Sequence, residues 1–293
     1  MTTSIFSTET LGACKEICGK SGSNFTPVFA LLPKDQKEAM TVLYSFMRLT
    51  DDISDGESSQ ENRRTNLNNW KKQLSEILND KTAGFQKISP VLNGVKQLVD
   101  QANVAPEWLY EVIAGVEEDL IFKGYATKAE RDSYCFKVAS VVGLCCLAIW
   151  KGNLTKGRDA AIDTGYAFQR TNILRDLMED FKRGRCYLPG VTLDEFGVSP
   201  MIPTNGTQKE AWNRLIRFEI NEIEKLFLSG RTLLPLLPRP GRAVFSGFLG
   251  IYHAILIQIA KDPEVVWRKR VRVGSIRKSQ IMLQALRIKW IGF

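Results

Sequence analysis

The stretch from Gln169 to Pro189 reads Q-R-T-N-I-L-R-D-L-M-E-D-F-K-R-G-R-C-Y-L-P, and its spacing decides how the chain is read. If it is helical as far as Gly184, then Asn172, Asp176 and Asp180 recur every four residues and stack on one face, with Gln169 at the edge. Like charges at that spacing repel by a few tenths of a kcal/mol, and acids near a helix C-terminus also oppose its dipole. A cation is therefore expected against this face. Arg175 and Arg183 could supply it as a solvated surface network, and that reading stays open for one stripe alone.

A second stripe lies far upstream in R-L-T-D-D-I-S-D-G. Asp51 and Asp55 are again four apart, and Tyr44 and Arg48 extend their face backwards. Ala39, Val42, Phe46, Leu49 and Ile53 form an apolar stripe on the opposite side. Gly56 is expected to end this helix, which puts both acids in its last turn, against carbonyls that already carry partial negative charge. Two such stripes make sense if they face each other and share divalent cations. Mg²⁺ fits best, because it takes oxygen ligands, keeps several waters and is completed by substrate phosphates.

Several quoted pieces, in this order and spacing, resemble the squalene/phytoene synthase family. They are S-N-F-T-P-V-F-A-L-L-P, Y-S-F-M-R-L-T-D-D-I-S-D, G-V-E-E-D-L at Gly115–Leu120, Y-C-F-K-V-A-S-V-V-G at Tyr134–Gly143, the second acid stretch, and R-V-R-V at Arg270–Val273. The resemblance runs from about Ser21 to about Lys278. It implies an all-α, single-domain helical bundle of the isoprenoid synthase type with a central apolar cavity. It also implies a Mg²⁺-dependent reaction, with Mn²⁺ as a substitute, that joins two identical prenyl diphosphates head to head through a cyclopropylcarbinyl diphosphate.

The resemblance carries roles to individual residues. Asp51 and Asp55 would hold metal and one diphosphate, and Asn172, Asp176 and Asp180 the other metal cluster. Arg48, Arg185 and Arg270 would contact diphosphate oxygens, although the spacing does not separate Arg270 from Arg272. Tyr44, Tyr134 and Tyr252 would lie near the reacting carbons, Phe25, Val138, Val142 and Gly143 would line the tail channel, and Gln169 would sit near the intermediate. Arg170 departs from the family pattern, standing where an apolar residue is common. The stretches at G-S-N-F and Tyr134–Gly143 lean toward squalene-type members using farnesyl diphosphate, with NADPH needed only if squalene is the product. Phytoene synthesis from geranylgeranyl diphosphate is the alternative, and a non-catalytic assembly or membrane-binding relative is an alternative of another class.

Composition agrees with a large helical core. The chain has 293 residues, 44% of them hydrophobic, and its periodic stretches run fifteen to twenty-five residues with no βα alternation, so the fold class is all-α. Residues 1–20 form either a poorly ordered segment or a short helix, and 21–293 one domain. The apolar run V-A-S-V-V-G-L-C-C-L-A-I-W within Lys128 to Trp150 marks a central helix. Its small residues Ala139, Ser140 and Gly143 leave room for a long apolar ligand or else permit close helix packing. The polar stretch Asp55 to Asn66 reads as a lid or as an ordinary loop, Ser58 or Ser59 as a helix cap, and the whole as eight to ten helices.

Six cysteines do not form a disulfide framework in a chain this long, and Cys145 and Cys146 read as small buried side chains. Cys14 and Cys18 have ligand-like spacing, but the single histidine, His253, is remote. No secretory leader and no spanning helix are expected. The net charge of +8 is concentrated: Val265 to Phe293 holds eight Lys or Arg and no acid, so the preceding residues balance. This tail, with Trp290, Ile291 and Phe293, suits peripheral contact with the inner face of a membrane by a reduced, cytoplasmic protein. It has no nucleic-acid reader motif, and a solvated last helix is the simpler alternative. The oligomeric state is left open.

Overall fold

The computed structural model describes residues 4–20, 26–55, 58–80 and 88–291, with the side chains of residues 26 and 27 excepted. Helices α1 (Thr8–Lys20), α2 (Lys34–Asp55), α3 (Gln60–Leu78), α4 (Pro90–Ala102) and α5 (Pro106–Leu120) come first. Then follow α6 (Lys128–Cys135), α7 (Val141–Ile149), α8 (Leu154–Arg175), α9 (Leu177–Lys182) and α10 (Gly190–Phe196). The last are α11 (Gly206–Arg231), α12 (Arg239–Lys261) and α13 (Ser275–Trp290), and no strand occurs among the described residues.

Local chemistry sets the helix starts. Ser59, Ser89, Asn153 and Asn205 accept backbone N–H groups in the first turns of α3, α4, α8 and α11. Thr127 and Glu130 form a reciprocal capping box on α6. Because α3 already begins at Gln60, most of the polar stretch expected as a lid or loop is helix; Gly56 lies outside the described residues. The first segment is a helix, α1, packed on α2 and α4 with Cys14 buried. All six cysteines are free, as their placement in the chain implied.

Burial follows the predicted stripes. Val42, Leu43 and Phe46 of α2 are fully buried, and Trp70 of α3 stacks on Phe46 with ring centroids 5.9 Å apart. Its indole N–H donates to the Thr50 hydroxyl at 3.0 Å. α7 is almost entirely enclosed, with α8 packed against it and α11 against α8. The segment Lys128–Ile149 and α12 are each long and apolar enough to cross a membrane by length and composition, yet 56% and 67% of their apolar windows are buried inside the bundle. That burial is what core helices show.

Two expected helices are interrupted, which accounts for two of the thirteen α-helical segments among the described residues, where eight to ten were expected. Between α6 and α7 the chain makes a π turn at Phe136–Ser140. The Ser140 hydroxyl donates to the Ile162 carbonyl at 2.8 Å, and a Cβ on Gly165 would lie against the Ser140 backbone. This close approach leaves no side-chain layer between the two backbones, and the extra residue of the π turn re-aims Val138 and Ala139. Ser140 thus serves packing, whereas Ala139 and Gly143 face the cavity.

The second acid stretch is likewise not one helix to Gly184. α8 ends at Arg175, Asp176 sits at φ −101° and ψ 7°, and α9 follows. Neighbouring residues do not face each other on a regular helix, so the paired contacts of Arg175 with Asp176, at 2.8 and 2.5 Å, require this opening. The bonds from Asp176 N to Asn172 O and from Asp180 N to Asp176 O, both 2.9 Å, still keep the acids in step.

A buried charge triad ties α6, α8 and α11. Glu219, 1% exposed, accepts from Arg131 at 3.1 Å and from Arg170 at 2.7 Å. Arg170, a departure from the family pattern, therefore has a structural partner. Glu219→Ala would leave Arg170 without its counter-charge and Arg131 with only the part-exposed Asp132 at 2.9 Å, and we expect a loss of about 3–5 kcal/mol in urea unfolding. A loss below about 1 kcal/mol would show that the triad is dispensable.

Candidate active site

A cavity of about 360 Å³ runs through the bundle. Its walls come from α2 (Met40, Tyr44, Met47), α5 (Val112, Val116), the π turn and α7 (Val138, Val142, Gly143, Cys146), α8 (Ala161, Gly165, Phe168) and α12 (Phe245, Phe248, Tyr252). Arg48, Asp51, Gln169 and Asn172 close it at one end. On α2 the lining runs from Met40 to Asp51, and on α8 from Ala161 to Asn172. Each is roughly 16 Å at the helical rise of about 1.5 Å per residue. Both helices thus pass from apolar lining to a polar mouth.

The two acid stripes converge there. Asp51 feels the charges of Asp55 and Asp119, and Asp180 those of Asp176 and Asp119, so the α5 residue Asp119 stands between the two faces. The sequence reading quoted Asp119 but gave it no role. The signal was its position on the face of Val112 and Val116, one further turn along α5. Asp119 accepts from the hydroxyls of Tyr187 at 2.8 Å and Tyr134 at 3.0 Å.

The expected residues divide clearly. Tyr44, Arg48, Asp51, Val138, Val142, Gly143, Gln169, Asn172 and Tyr252 all line the cavity. Tyr252 stacks on Phe168 at 4.0 Å. Tyr134 does not line it: it is buried, stacks on Tyr187 at 5.3 Å and donates to Asp119, because that carboxylate offers its hydroxyl a partner away from the apolar wall. Arg185 donates to the Asp119 carbonyl at 3.1 Å. Arg48 pairs with Asp52 at 2.6 Å, one turn along its own helix. Arg270, and not Arg272, is the arginine that meets the acids, at 2.9 Å from Asp176 and 3.6 Å from Glu179. Asp55 is exposed at the end of α2, and Phe25 lies outside the described residues.

The donor set fits a hard cation. Every candidate ligand atom is oxygen, and the Asn172 Oδ1 is buried without a hydrogen-bond partner, its amide having turned to donate to Gln169 at 3.2 Å. Asp176 meanwhile is clamped from two sides by Arg175 and Arg270. No three His, Cys, Asp or Glu among the described residues converge closely enough to cage an ion by themselves. This is the arrangement expected for Mg²⁺ held by few carboxylates and completed by water and phosphate.

Crowding shows in the proton affinities. Asp51 keeps an exposed edge, like Asp55, and its partial loss of hydration against the cavity wall, followed by the charges of Asp55 and Asp119, pushes it up to about 7. Burial and then Asp176 and Asp119 push Asp180 to about 7 as well. Asp119 is raised by burial, against the opposing effect of its two tyrosine hydroxyls. Between the ordinary carboxyl range near 4 and these values the folded protein binds more protons than the unfolded chain, so its stability falls as pH rises through that window. We expect the melting temperature in chelator to drop from pH 5 to pH 8, and Asp51→Asn to flatten the drop and to melt higher than wild type at pH 8. A mutant with an unchanged slope would contradict the crowding.

Residues 19–277 match the pattern of the family described as squalene/phytoene synthase. The phytoene synthase of Mycobacterium tuberculosis is 30% identical over 275 residues, which cover 93% of this chain and 89% of that protein. The 15-cis-phytoene synthase of Synechocystis is 29% identical over 293 residues, covering 95% and 83%. Among solved structures, a dehydrosqualene synthase in complex with ligand superposes with a TM-score of 0.82 at 24% identity over 95% of each chain. A squalene synthase from Alicyclobacillus acidocaldarius gives 0.77 at 21% identity over 86% of this chain and 93% of that one. With the helical bundle, the apolar cavity and the facing aspartates in place, this chain belongs to the squalene/phytoene synthase family and is a prenyltransferase of the head-to-head condensing type.

Proposed function

We propose that the protein condenses two molecules of geranylgeranyl diphosphate to phytoene in a Mg²⁺-dependent reaction. The observation that carries this reading is the near-full-length similarity to proteins named phytoene synthase, at 30% identity over 93% of the chain. It favours the geranylgeranyl alternative over the farnesyl substrate toward which the G-S-N-F and Tyr134–Gly143 stretches lean. The small residues Ala139, Gly143, Ala161 and Gly165 keep the cavity walls thin and leave room for a long apolar tail.

In this reading Asp51, Asp55, Asn172, Asp176 and Asp180 are the metal-holding residues. Bound Mg²⁺ would neutralise diphosphate and stabilise the charge that develops on its departing oxygens. The chain's own groups do the rest. Arg48, Arg185 and Arg270 orient diphosphate at the mouth, and Arg270 leaves Asp176 to do so. Tyr134 and Tyr187 hold the Asp119 carboxylate between the acid faces. Tyr44 and Tyr252 present hydroxyls at the boundary between polar mouth and apolar tunnel. Phe29, Phe168, Phe248 and Trp150 keep water from the allylic cation, and their ring faces stabilise positive charge.

Incubation with geranylgeranyl or farnesyl diphosphate and Mg²⁺, followed by analysis of the lipid products, tests the proposal. Phytoene is the expected product, with kcat/KM for the C20 substrate at least about tenfold above that for C15. Preferential consumption of farnesyl diphosphate would overturn the chain-length assignment. Asp51→Ala and Asp176→Ala should each lower turnover by a factor of at least about 10² while the helical circular dichroism signal survives. Turnover retained in either mutant would remove the metal-holding role.

The tunnel makes a separate expectation. Cys146 borders the cavity on α7 among otherwise enclosed neighbours. Cys146→Phe should fill its apolar end and move the C20 to C15 preference toward the shorter chain by about tenfold or more. An equal loss on both substrates would place the restriction elsewhere.

A further inference from the structure

Helix α13 is two-sided in a way that the prenyl chemistry does not use. Ile281, Ala285 and Ile288 bury one side, with Ile281 against Gly250 and Ala285 against Gly247 of α12. On the other side Ile276 is 80% exposed, Leu283 61%, Trp290 71% and Ile291 73%. The other exposed large apolar residues, Ile5, Ile121, Val191, Met201, Ile202 and Leu228, are scattered over the chain, whereas four fall within this one helix and its cap. Ile276, Leu283 and Trp290 recur every seven residues and form a single stripe, and Arg287 falls within it, four residues after Leu283 and three before Trp290.

Cations surround the stripe without any counter-charge from the same segment. Arg268, Lys269, Arg270, Arg272, Arg277, Lys278, Arg287 and Lys289 lie beyond Glu264, and no acid follows it. Arg270 is turned to Asp176 and Arg268 to Asp262. Lys289 sits 5.4 Å over the Trp290 ring. Arg277 is exposed and near Gln280, with 3.3 Å between Nη1 and Oε1.

We propose that this face of α13 docks on an anionic lipid bilayer, lying in the plane of the interface. Ile276, Leu283 and Trp290 enter the headgroup boundary, and Arg277, Arg287 and Lys289 meet lipid phosphates. An apolar stripe that carries Arg287 and is flanked by Arg277 and Lys289 matches a surface that offers both an apolar layer and negative charge. A nucleic acid would meet the cations and leave the Ile, Leu and Trp stripe without a partner. A second copy meeting through the same face would oppose cation to cation. The docking face is separate from the prenyl cavity and does not depend on which prenyl diphosphate is used.

Co-sedimentation of the full chain with vesicles tests it. With vesicles of phosphatidylcholine containing roughly one-third phosphatidylglycerol, binding at low salt should exceed that to pure phosphatidylcholine at least about tenfold and weaken as salt rises. The double variant Leu283→Asp, Trp290→Asp should lose at least about tenfold in binding. The variant Arg287→Gln, Lys289→Gln, which empties no core position, should lose about fivefold or more. Both should keep the wild-type circular dichroism spectrum and prenyl turnover in detergent. Equal binding to neutral and anionic vesicles, wild-type binding by the charge variant, or tighter binding to duplex DNA than to anionic vesicles would each overturn the proposal. So would failure of the wild-type chain to sediment with any vesicle. None of these outcomes bears on the condensation chemistry, which the product assay tests alone.

Discussion

Carboxylates that repel one another are gathered at one end of an apolar cavity, and much of the structure can be understood as what makes that tolerable. Asp51 and Asp55 come from α2, Asp119 from α5, and Asp176 and Asp180 from the junction of α8 and α9. Asp51 and Asp180 answer by holding protons up to about 7. Asp119 answers by accepting two tyrosine hydroxyls, and Asp176 by accepting two arginines. Each device is local and incomplete, since the Asn172 oxygen beside them stays without a donor. Divalent cations shared with a diphosphate would offset these charges, because each brings two positive charges to several oxygens in a small volume.

The rest of the bundle holds this mouth in place. α2 carries Asp51 on one face only because Val42, Leu43 and Phe46 fix the other in the core. α8 is held against the π turn through Gly165 and Ser140, and against α6 and α11 by the Arg131, Glu219 and Arg170 triad. A buried triad contributes little net stability against an apolar replacement, but it is strongly directional. It therefore fixes the rotation of α8, and with it the direction in which Gln169 and Asn172 point.

The parts of this arrangement that repeat along a helix were legible in the sequence. The stripes at Asp51 and Asp55 and at Asn172, Asp176 and Asp180, the Ser58 or Ser59 cap and the apolar run of α7 follow from helical periodicity and cap chemistry alone. What escaped the reading depends on a partner distant in the chain. Asp119 is a lone acid in its own helix, and its meaning comes from Tyr134, Tyr187 and the acids it faces. The break at Asp176 comes from an arginine beside it and another ninety-four residues away. The π turn exists because Ser140 finds the Ile162 carbonyl on α8. Arg170 looked like a departure from pattern until Glu219 appeared opposite it. Periodicity assigns faces to helices, but it does not say which charged residues will be neighbours.

One geometric consequence links fold to chemistry. α2 and α8 both run from cavity lining to acid mouth, so position along either helix measures depth from the proposed diphosphate site. Each residue adds about 1.5 Å. A carbon chain whose charged end is fixed at Asp51 and Asn172 must then reach toward Met40 and Ala161, with Phe245, Phe248 and Cys146 around its far end. Small residues at Gly143 and Gly165 widen the middle of that path. Their close backbone contacts keep the widening rigid, since a Cβ on Gly143 would stand 3.0 Å from the Ala161 carbonyl. In the proposed function, substrate length would be read where the cavity closes along two helices whose other ends carry the charge. The residues proposed to hold diphosphate and those proposed to line its tail can therefore vary independently, because they sit several turns apart on the same two helices.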